Sequence, residues 1–443
     1  MNVKGYEVKV IKKTKSTFDF YRPAFYGMAE LSPTAMDIFL KVYLLLYFNQ
    51  VMGLSASLTS LVIGLGVLWD AAVDPWIGTI TDRYYQKHGN RQPILYVACF
   101  CVAALFFILW RLPTSSHLIS YLFVFVVSAL LNSAISFFSV PFYAVANDLQ
   151  KDNGERKKWI GWRLIFFNIG SLVGLSVPAY FLTQSKVELD RQPYLSSVTV
   201  MTIMMIVLSC FSAFAMYYKV KPEVKPLKKY DGLKLREVFK DKIFVQILAA
   251  YFIVNCGLGL NSSLALYYYK EFLQFTEKQT QTILISFLIL FTLSIPLWVV
   301  LIRFFSKKKL IVFGALTLGI INVFSFPFFQ NDQFWLVFFT ASILGGLLVG
   351  VAVVMEIYLS DYLNEKEKIL DQSVSGQFLG LWKMASKISR AIAIGLAGPI
   401  IEISTGHPQA LANYFGWGVG LFFILSALII LFPVSDQKKI SNF

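Results

Sequence analysis

Two carboxylates, Asp70 and Asp74, stand one helical turn apart in a stretch that is otherwise apolar from about residue 58 to residue 80. On a helix this spacing puts both on one face, roughly 6 Å apart. Two ionised acids repel each other and are costly in hydrocarbon. Such a pair must face a polar cavity, share a proton or hold a cation. Pro75 has no N–H to offer the carbonyl of Ala71. A free carbonyl oxygen beside two carboxylates resembles the ligand set of a hard cation. The plainer alternative is a solvated helix end that carries acid. The spacing favours a cation or proton site, with Asp70 and Asp74 as the metal ligands if the ion is Na+.

Further ionisable residues lie inside apolar stretches. Asp37 and Lys41 sit at i and i+4 in acid-then-base order, a neutralised pair of structural or functional purpose. Glu30 lies near the start of the same stretch and either reaches the interface or points into a cavity. Asn132, Ser136 and Ser139 follow helical spacing just ahead of Pro141, Phe142 and Tyr143. Serines in membrane helices often bond back to a carbonyl one turn earlier, so only alignment with the acid pair would give them a role. Arg163 stands more than a turn into its stretch and needs a carboxylate or an anionic ligand. Glu356 occupies a later stretch, and Lys383, Lys387 and Arg390 the one after it. Lys387 lies deeper than Lys383, placed to act as a counter-charge or to titrate. Facing lipid, Asp70, Asp74, Arg163, Glu356 and Lys387 would each cost on the order of 2.5–3.5 kcal/mol. They must converge on one another or on water.

The elements that hold these residues follow from composition. The chain has 443 residues, 56% of them hydrophobic and 15% charged, with a mean hydropathy of +0.61. That describes an all-α polytopic membrane protein. About twelve spans are expected, at 24–51, 56–80, 92–111, 117–146, 158–184, 196–219, 240–269, 279–303, 308–328, 333–360, 372–402 and 411–433. The net charge of +14 comes mainly from Lys and Arg in alternate loops, the positive-inside pattern, and not from a nucleic-acid surface. The loops 185–196 and around Lys270 and Lys278 mix acid and base and break this alternation. An even span count puts both termini in the cytoplasm. No signal peptide is expected from the basic first twenty residues. The four cysteines sit in apolar spans at no metal or redox spacing. The longest loop, basic and proline-bearing, divides the chain into a bundle over 1–219, a linker over 220–239 and a second bundle over 240–443. Two six-helix bundles are the plan of major facilitator transporters. The spacings Gly170 to Gly174 and Gly346 to Gly350 suit close helix packing.

The chain resembles the glycoside–pentoside–hexuronide:cation symporters, the melibiose-permease branch of that superfamily. The most specific match is Trp69, Asp70, Asp74, Pro75 and Gly78, followed by Thr81, Asp82 and Arg83 and by Asn90, Arg91 and Pro93. Further matches are Val140 to Tyr143, Glu155 and Arg156, Trp162 and Arg163, Leu359 and Asp361, and Gly380 with Lys387. The resemblance implies that Asp70 and Asp74 hold the coupling Na+, H+ or Li+, with Ser136 and Ser139 at the span-four coordination positions. It puts the sugar-contacting aromatic at Tyr143, the substrate arginine at Arg163 and the span-eleven lysine at Lys387. Three departures stand out. Ser139 replaces a carboxylate of the melibiose permeases, which weakens a Na+ site or favours a proton. Ala352 falls where a sugar-stacking tryptophan belongs. The span-one sugar aspartate has only displaced candidates, Glu30 or Asp37.

The expectation is therefore a secondary active symporter without a cofactor beyond its coupling ion, Na+ or H+. It would carry a small solute, a sugar or glycoside first, by alternating access. Asp70, Asp74, Ser136 and Ser139 would bind the cation, and Glu30, Asp37, Tyr143, Arg163 and Lys387 the solute. Glu356 would line the cavity, and Arg163 and Lys387 would be the counter-charges of the acid pair. A lysophospholipid or other amphipathic or anionic solute is the alternative. A monomer in the plasma (inner) membrane of a prokaryote is expected, with the bilayer and a small molecule as partners. An enzyme is disfavoured: the chain lacks a phosphate loop, an H-E-x-x-H pair and any Cys/His cluster.

Overall fold

The computed structural model describes residues 17–88, 90–112, 117–149, 153–185, 190–215, 238–370 and 375–432. Most of the expected linker 220–239 and both basic tails lie outside these residues. Among the described residues twelve helices are long and apolar enough to cross a membrane, one for each expected span. They are α1 Thr17–Leu46, α2 Ala56–His88, α3 Gln92–Leu109, α4 His117–Leu149, α5 Asn153–Gln184 and α6 Gln192–Ala215. The second set comprises α7 Lys242–Tyr267, α8 Glu277–Leu301, α9 Lys307–Ser325, α10 Phe334–Leu370, α11 Ser375–Ile403 and α12. The last, α12, spans Pro408–Leu431 with a π turn at Tyr414–Gly418.

The packing repeats after six helices. In the first half α1 lies on α5 and α6, α2 on α4, and α3 on α4 and α6. In the second, α7 lies on α11 and α12, α8 on α10, and α9 on α10 and α12. The halves meet through α1 with α7, α2 with α11, and α5 with α8, pairs that a twofold axis would exchange. Small residues set the closest approaches. A β-carbon at Gly170 would lie 2.4 Å from the Leu31 carbonyl oxygen, and one at Gly174 2.6 Å from that of Ala35. These two glycines seat α5 on α1. Gly346 and Gly350 seat α10 against Ser294 and Trp298 of α8.

The joint leaving the first helix of each half is written twice. After α1 a π turn at Tyr47–Val51 ends with the Met52 N–H on the Tyr47 carbonyl and the Leu54 N–H on that of Phe48, at 3.0 and 2.9 Å. After α7 a π turn at Tyr268–Phe272 ends with the Leu273 and Phe275 N–H groups on the carbonyls of Tyr268 and Tyr269, at 3.1 and 2.9 Å. Gly53 (φ 71°) and Gln274 (φ 54°) hold the same left-handed position between them. Glycine meets this conformation without strain, and Gln274 pays the penalty of a β-carbon.

The two mixed-charge loops are accounted for locally. Arg191 bonds the Tyr47 hydroxyl at 2.9 Å and the carbonyls of Trp110 and Leu112 at 3.3 and 3.2 Å, so it satisfies acceptors left open where α3 ends. Lys270 pairs with Glu277 at 2.6 Å. Lys270 is thus neutralised by its pair, and Arg191 is held as a structural cap.

Candidate functional site

The acid pair faces the other half of the molecule. α2 runs unbroken through position 75 and presents Asp70 and Asp74 to α11. The Lys387 ammonium sits between them, 2.7 Å from Asp70 Oδ2 and bonded also to Asp74 Oδ2. From α4 the Ser136 hydroxyl donates to Asp70 Oδ1 at 2.8 Å. Asp70 is thus bonded at both oxygens and only 8% exposed. Asp74 Oδ1 is buried without a hydrogen-bond partner among the described residues. Ser139, grouped in sequence with Ser136, makes no bond to either acid among those residues. It lies nearly a turn farther along α4, about 60° round the helix from Ser136. The indole N–H of Trp69 donates to Ser133 at 3.1 Å and locks α2 to α4 beside the pair.

A second cluster forms at the same depth. Asp37 bonds Lys41 at 2.5 Å through one oxygen and Arg390 at 3.1 Å through the other. The expected pair is therefore a triad that crosses between the halves, two cations on one carboxylate. Arg390 was absent from the expected site, although its place three residues beyond Lys387 on α11 was a usable signal.

Glu30 points inward and is 6% exposed. It accepts a hydrogen bond from the Tyr143 hydroxyl at 3.0 Å. The Arg163 guanidinium covers the face of the Tyr143 ring at 4.4 Å and attracts Glu30. Here the structure departs from expectation: Arg163 serves Glu30 and Glu356 and does not join Lys387 on Asp70 and Asp74. The reason is packing. Gly170 and Gly174 hold α5 against α1, so Arg163 on the same helix meets residues of α1 and α4. Lys383 comes from the opposite half to within 5.7 Å of the Tyr143 ring and also feels Glu356. Lys383 and Glu356 are exposed although both lie inside apolar spans. Lipid contact would cost each several kcal/mol, so that exposure belongs to an aqueous cavity. Named together, Glu30, Asp37, Asp70, Asp74 and Glu356 balance Lys41, Arg163, Lys383, Lys387 and Arg390.

One end of the molecule is bolted across the halves. Tyr43 donates to Gln281 at 2.5 Å, Tyr267 to Asn49 at 3.1 Å and Gln50 to Glu271 at 2.5 Å. Glu402, closing α11, accepts from the Ser55 hydroxyl, the Ser57 hydroxyl and the Ser57 N–H at 2.5, 2.5 and 3.0 Å. At the opposite end the pairs Lys307 with Asp361 and Lys366 with Asp241 stay inside the second half.

Two six-helix bundles around a charged midplane cluster define a transporter of the major facilitator type, and the comparisons agree. The family model described as MFS/sugar transport protein matches residues 25–434. The chain belongs to that family, one of transporters and not of enzymes, and it is an integral membrane protein. Among relatives, the uncharacterized symporter YnaJ of Bacillus subtilis (strain 168) is 25% identical, over 67% of this chain and just under two thirds, 64%, of its own length. A sodium-dependent lysophosphatidylcholine symporter 1-A of Danio rerio is 21% identical over 83% of this chain and 74% of its own. The raffinose carrier protein of Pediococcus pentosaceus is 24% identical over 86% and 62%. Of solved structures, a D-xylose-proton symporter superposes with a TM-score of 0.69 at 14% identity, covering 95% of this chain and 99% of that one. The nucleoside transporter NupG gives 0.67 at 12% identity, covering 93% and 98%. Likeness at this identity concerns the fold alone.

Proposed function

We propose that the protein couples the movement of a cation, Na+ or H+, to that of a small solute, with Asp70 and Asp74 as the coupling site. The observation that carries this is Lys387, an ammonium of the second half seated between two carboxylates of the first. Two acids and one base leave the site one negative charge, and Asp74 Oδ1 is buried with no donor among the described residues to compete with an incoming ion. An ion bound there competes with Lys387 and releases it toward Lys383 and Arg390 on the same helix. Binding at the ion site thereby alters the charges that face the solute. By linkage, the solute must strengthen ion binding by the same factor. With oxygen ligands from Asp70, Asp74 and Ser136 and no third carboxylate, the donor set suits a weakly held Na+ or a proton.

A sugar or glycoside is the first class of solute, bound by Glu30, Tyr143, Arg163, Asp37 and Lys387. The names of the raffinose carrier and of related symporters support it. An amphipathic or anionic solute is the second reading, favoured by the two cations held on the single carboxylate of Asp37 and by the lysophosphatidylcholine symporters among the relatives. The basic loops argue for cytoplasmic termini in a prokaryotic plasma membrane. With that orientation the bolted end is external and the cavity opens inward. The test is solute uptake into proteoliposomes under imposed Na+ or pH gradients. Accumulation driven by either gradient is expected, and uptake indifferent to both refutes the reading.

A further inference from the structure

Beyond the polar cluster, a cavity of about 180 Å3 begins where the halves meet and runs among the helices of the second half. Lys41 with Ile38, Val42 and Leu175 lines it from the first half. The rest of its wall is mostly aliphatic and aromatic, including Leu284, Ala341, Leu344 and Phe423. Two features bear on what fills it. Lys41 borders it, and the triad to which Lys41 belongs holds two cations on the single carboxylate of Asp37, an excess of one positive charge. Asn322, only 2% exposed and also in the lining, gives its amide N–H to the Leu318 carbonyl and leaves Oδ1 without a partner. Asn261, Ser262 and Tyr269 also border the space, but a buried acceptor left unpaired costs about 1–3 kcal/mol until something donates to it.

We propose that this cavity is a substrate subsite for a compact amphipathic anion. A carboxylate or phosphate lies against Lys41, an aromatic ring or short branched alkyl group fills the slot, and a hydroxyl of that group donates to Asn322 Oδ1. Size selects the apolar part: an engineered protein cavity of about 150 Å3 takes up benzene, and this one is only slightly larger. A long acyl chain does not fit it. The proposal rests on the symporter reading for transport but not for binding.

The test uses the whole protein in lipid nanodiscs, with 4-hydroxyphenylacetate as probe and phenylacetate, 4-hydroxybenzyl alcohol and a palmitoyl lysophosphatidylcholine as comparisons, read by calorimetry. 4-Hydroxyphenylacetate is expected to bind at least tenfold more tightly than either small analogue. Asn322→Leu should remove its advantage over phenylacetate, and Lys41→Gln its advantage over the alcohol. Ala341→Phe should weaken binding more than tenfold, and the milder Leu284→Phe covers the case of a poorly folded first variant. Unchanged binding in a folded slot-filling variant overturns the proposal, as does tighter binding of the lysolipid with displacement of the probe. Uptake by the wild type separates the two readings. Slot-dependent binding with ion-indifferent uptake sinks the symporter reading alone, and ion-driven uptake of a solute that ignores slot filling sinks the subsite alone.

Discussion

Replacing Asp74 by Asn tests the charge balance at the coupling site. In the wild type Asp70 and Asp74 face Lys387, and the site carries a net charge of −1. Asp74→Asn brings it to zero and removes one of two carboxylates that would hold the ion. A unit charge at 4 Å in an effective dielectric of about 20 contributes about 4 kcal/mol. That amounts to roughly three decades of affinity at 1.4 kcal/mol per decade. Asp74 is 26% exposed, and water screens part of the attraction, so a loss of about a hundredfold is the working figure. The assay is the cation concentration giving half-maximal stimulation of solute counterflow in proteoliposomes. A second substitution sharpens the logic. Asp74→Asn with Lys387→Gln leaves Asp70 unopposed at −1, and the double variant should recover part of the lost cation response. A single variant within threefold of wild type, or a double variant no better than the single, refutes the reasoning.

Other consequences are more local. Glu402→Ala removes an acceptor for three donors of α2. On so exposed a carboxylate about 1 kcal/mol is at stake, a roughly fivefold shift toward opening at that end, read as faster alkylation of Ser60→Cys, a position buried in this state. Gly398→Val should obstruct closure there, because a β-carbon would lie 2.1 Å from the Ser60 hydroxyl and 2.3 Å from the Ala56 carbonyl oxygen. The same alkylation should rise, with net uptake slowed. Tyr143→Phe strips Glu30 of a buried donor, and solute affinity in a binding titration should fall by roughly 1–3 kcal/mol, about five- to a hundredfold. An unchanged affinity would place Glu30 outside the solute site.

Much of this architecture is legible in the sequence, because in a membrane each span announces itself by length and apolarity and each charge inside it demands a partner. That reasoning led from Asp70, Asp74 and Lys387 to a cluster that the structure does assemble. It stopped at partners decided by helix rotation. Arg163 could be seen to need a carboxylate, but its choice of Glu30 follows from two glycines that turn α5 toward α1. Ser136 and Ser139 look alike in sequence, and only the phase of α4 separates the one bonded to Asp70 from the one that is not. The third member of the Asp37 triad comes from a helix some 350 residues away, at position 390 against 37, a pairing no local pattern encodes. The slot behind Lys41 is a property of the space between helices and has no motif at all.

The repeated joint after α1 and α7 carries a conformational implication. Its two copies agree in their π turns, in their crossed hydrogen bonds and in a left-handed residue, and each leads to a hydroxyl residue that starts the next helix, Ser55 or Thr276. They then part company. Thr276 is closed by its own chain neighbour, Gln279, in a reciprocal capping box. The corresponding residue after Ser55 is Leu58, which has no acceptor to return, and the role is divided: the Ser55 N–H donates to the Tyr121 hydroxyl at 2.9 Å, and the Ser55 hydroxyl to the Glu402 carboxylate of the other half. One copy of the joint closes on its own neighbours, and the other draws an acceptor from the opposite half. The Ser55 and Ser57 hydroxyls keep the Glu402 carboxylate only while the two halves touch, so the hydrogen bonding at the start of α2 reports the conformation of the whole transporter.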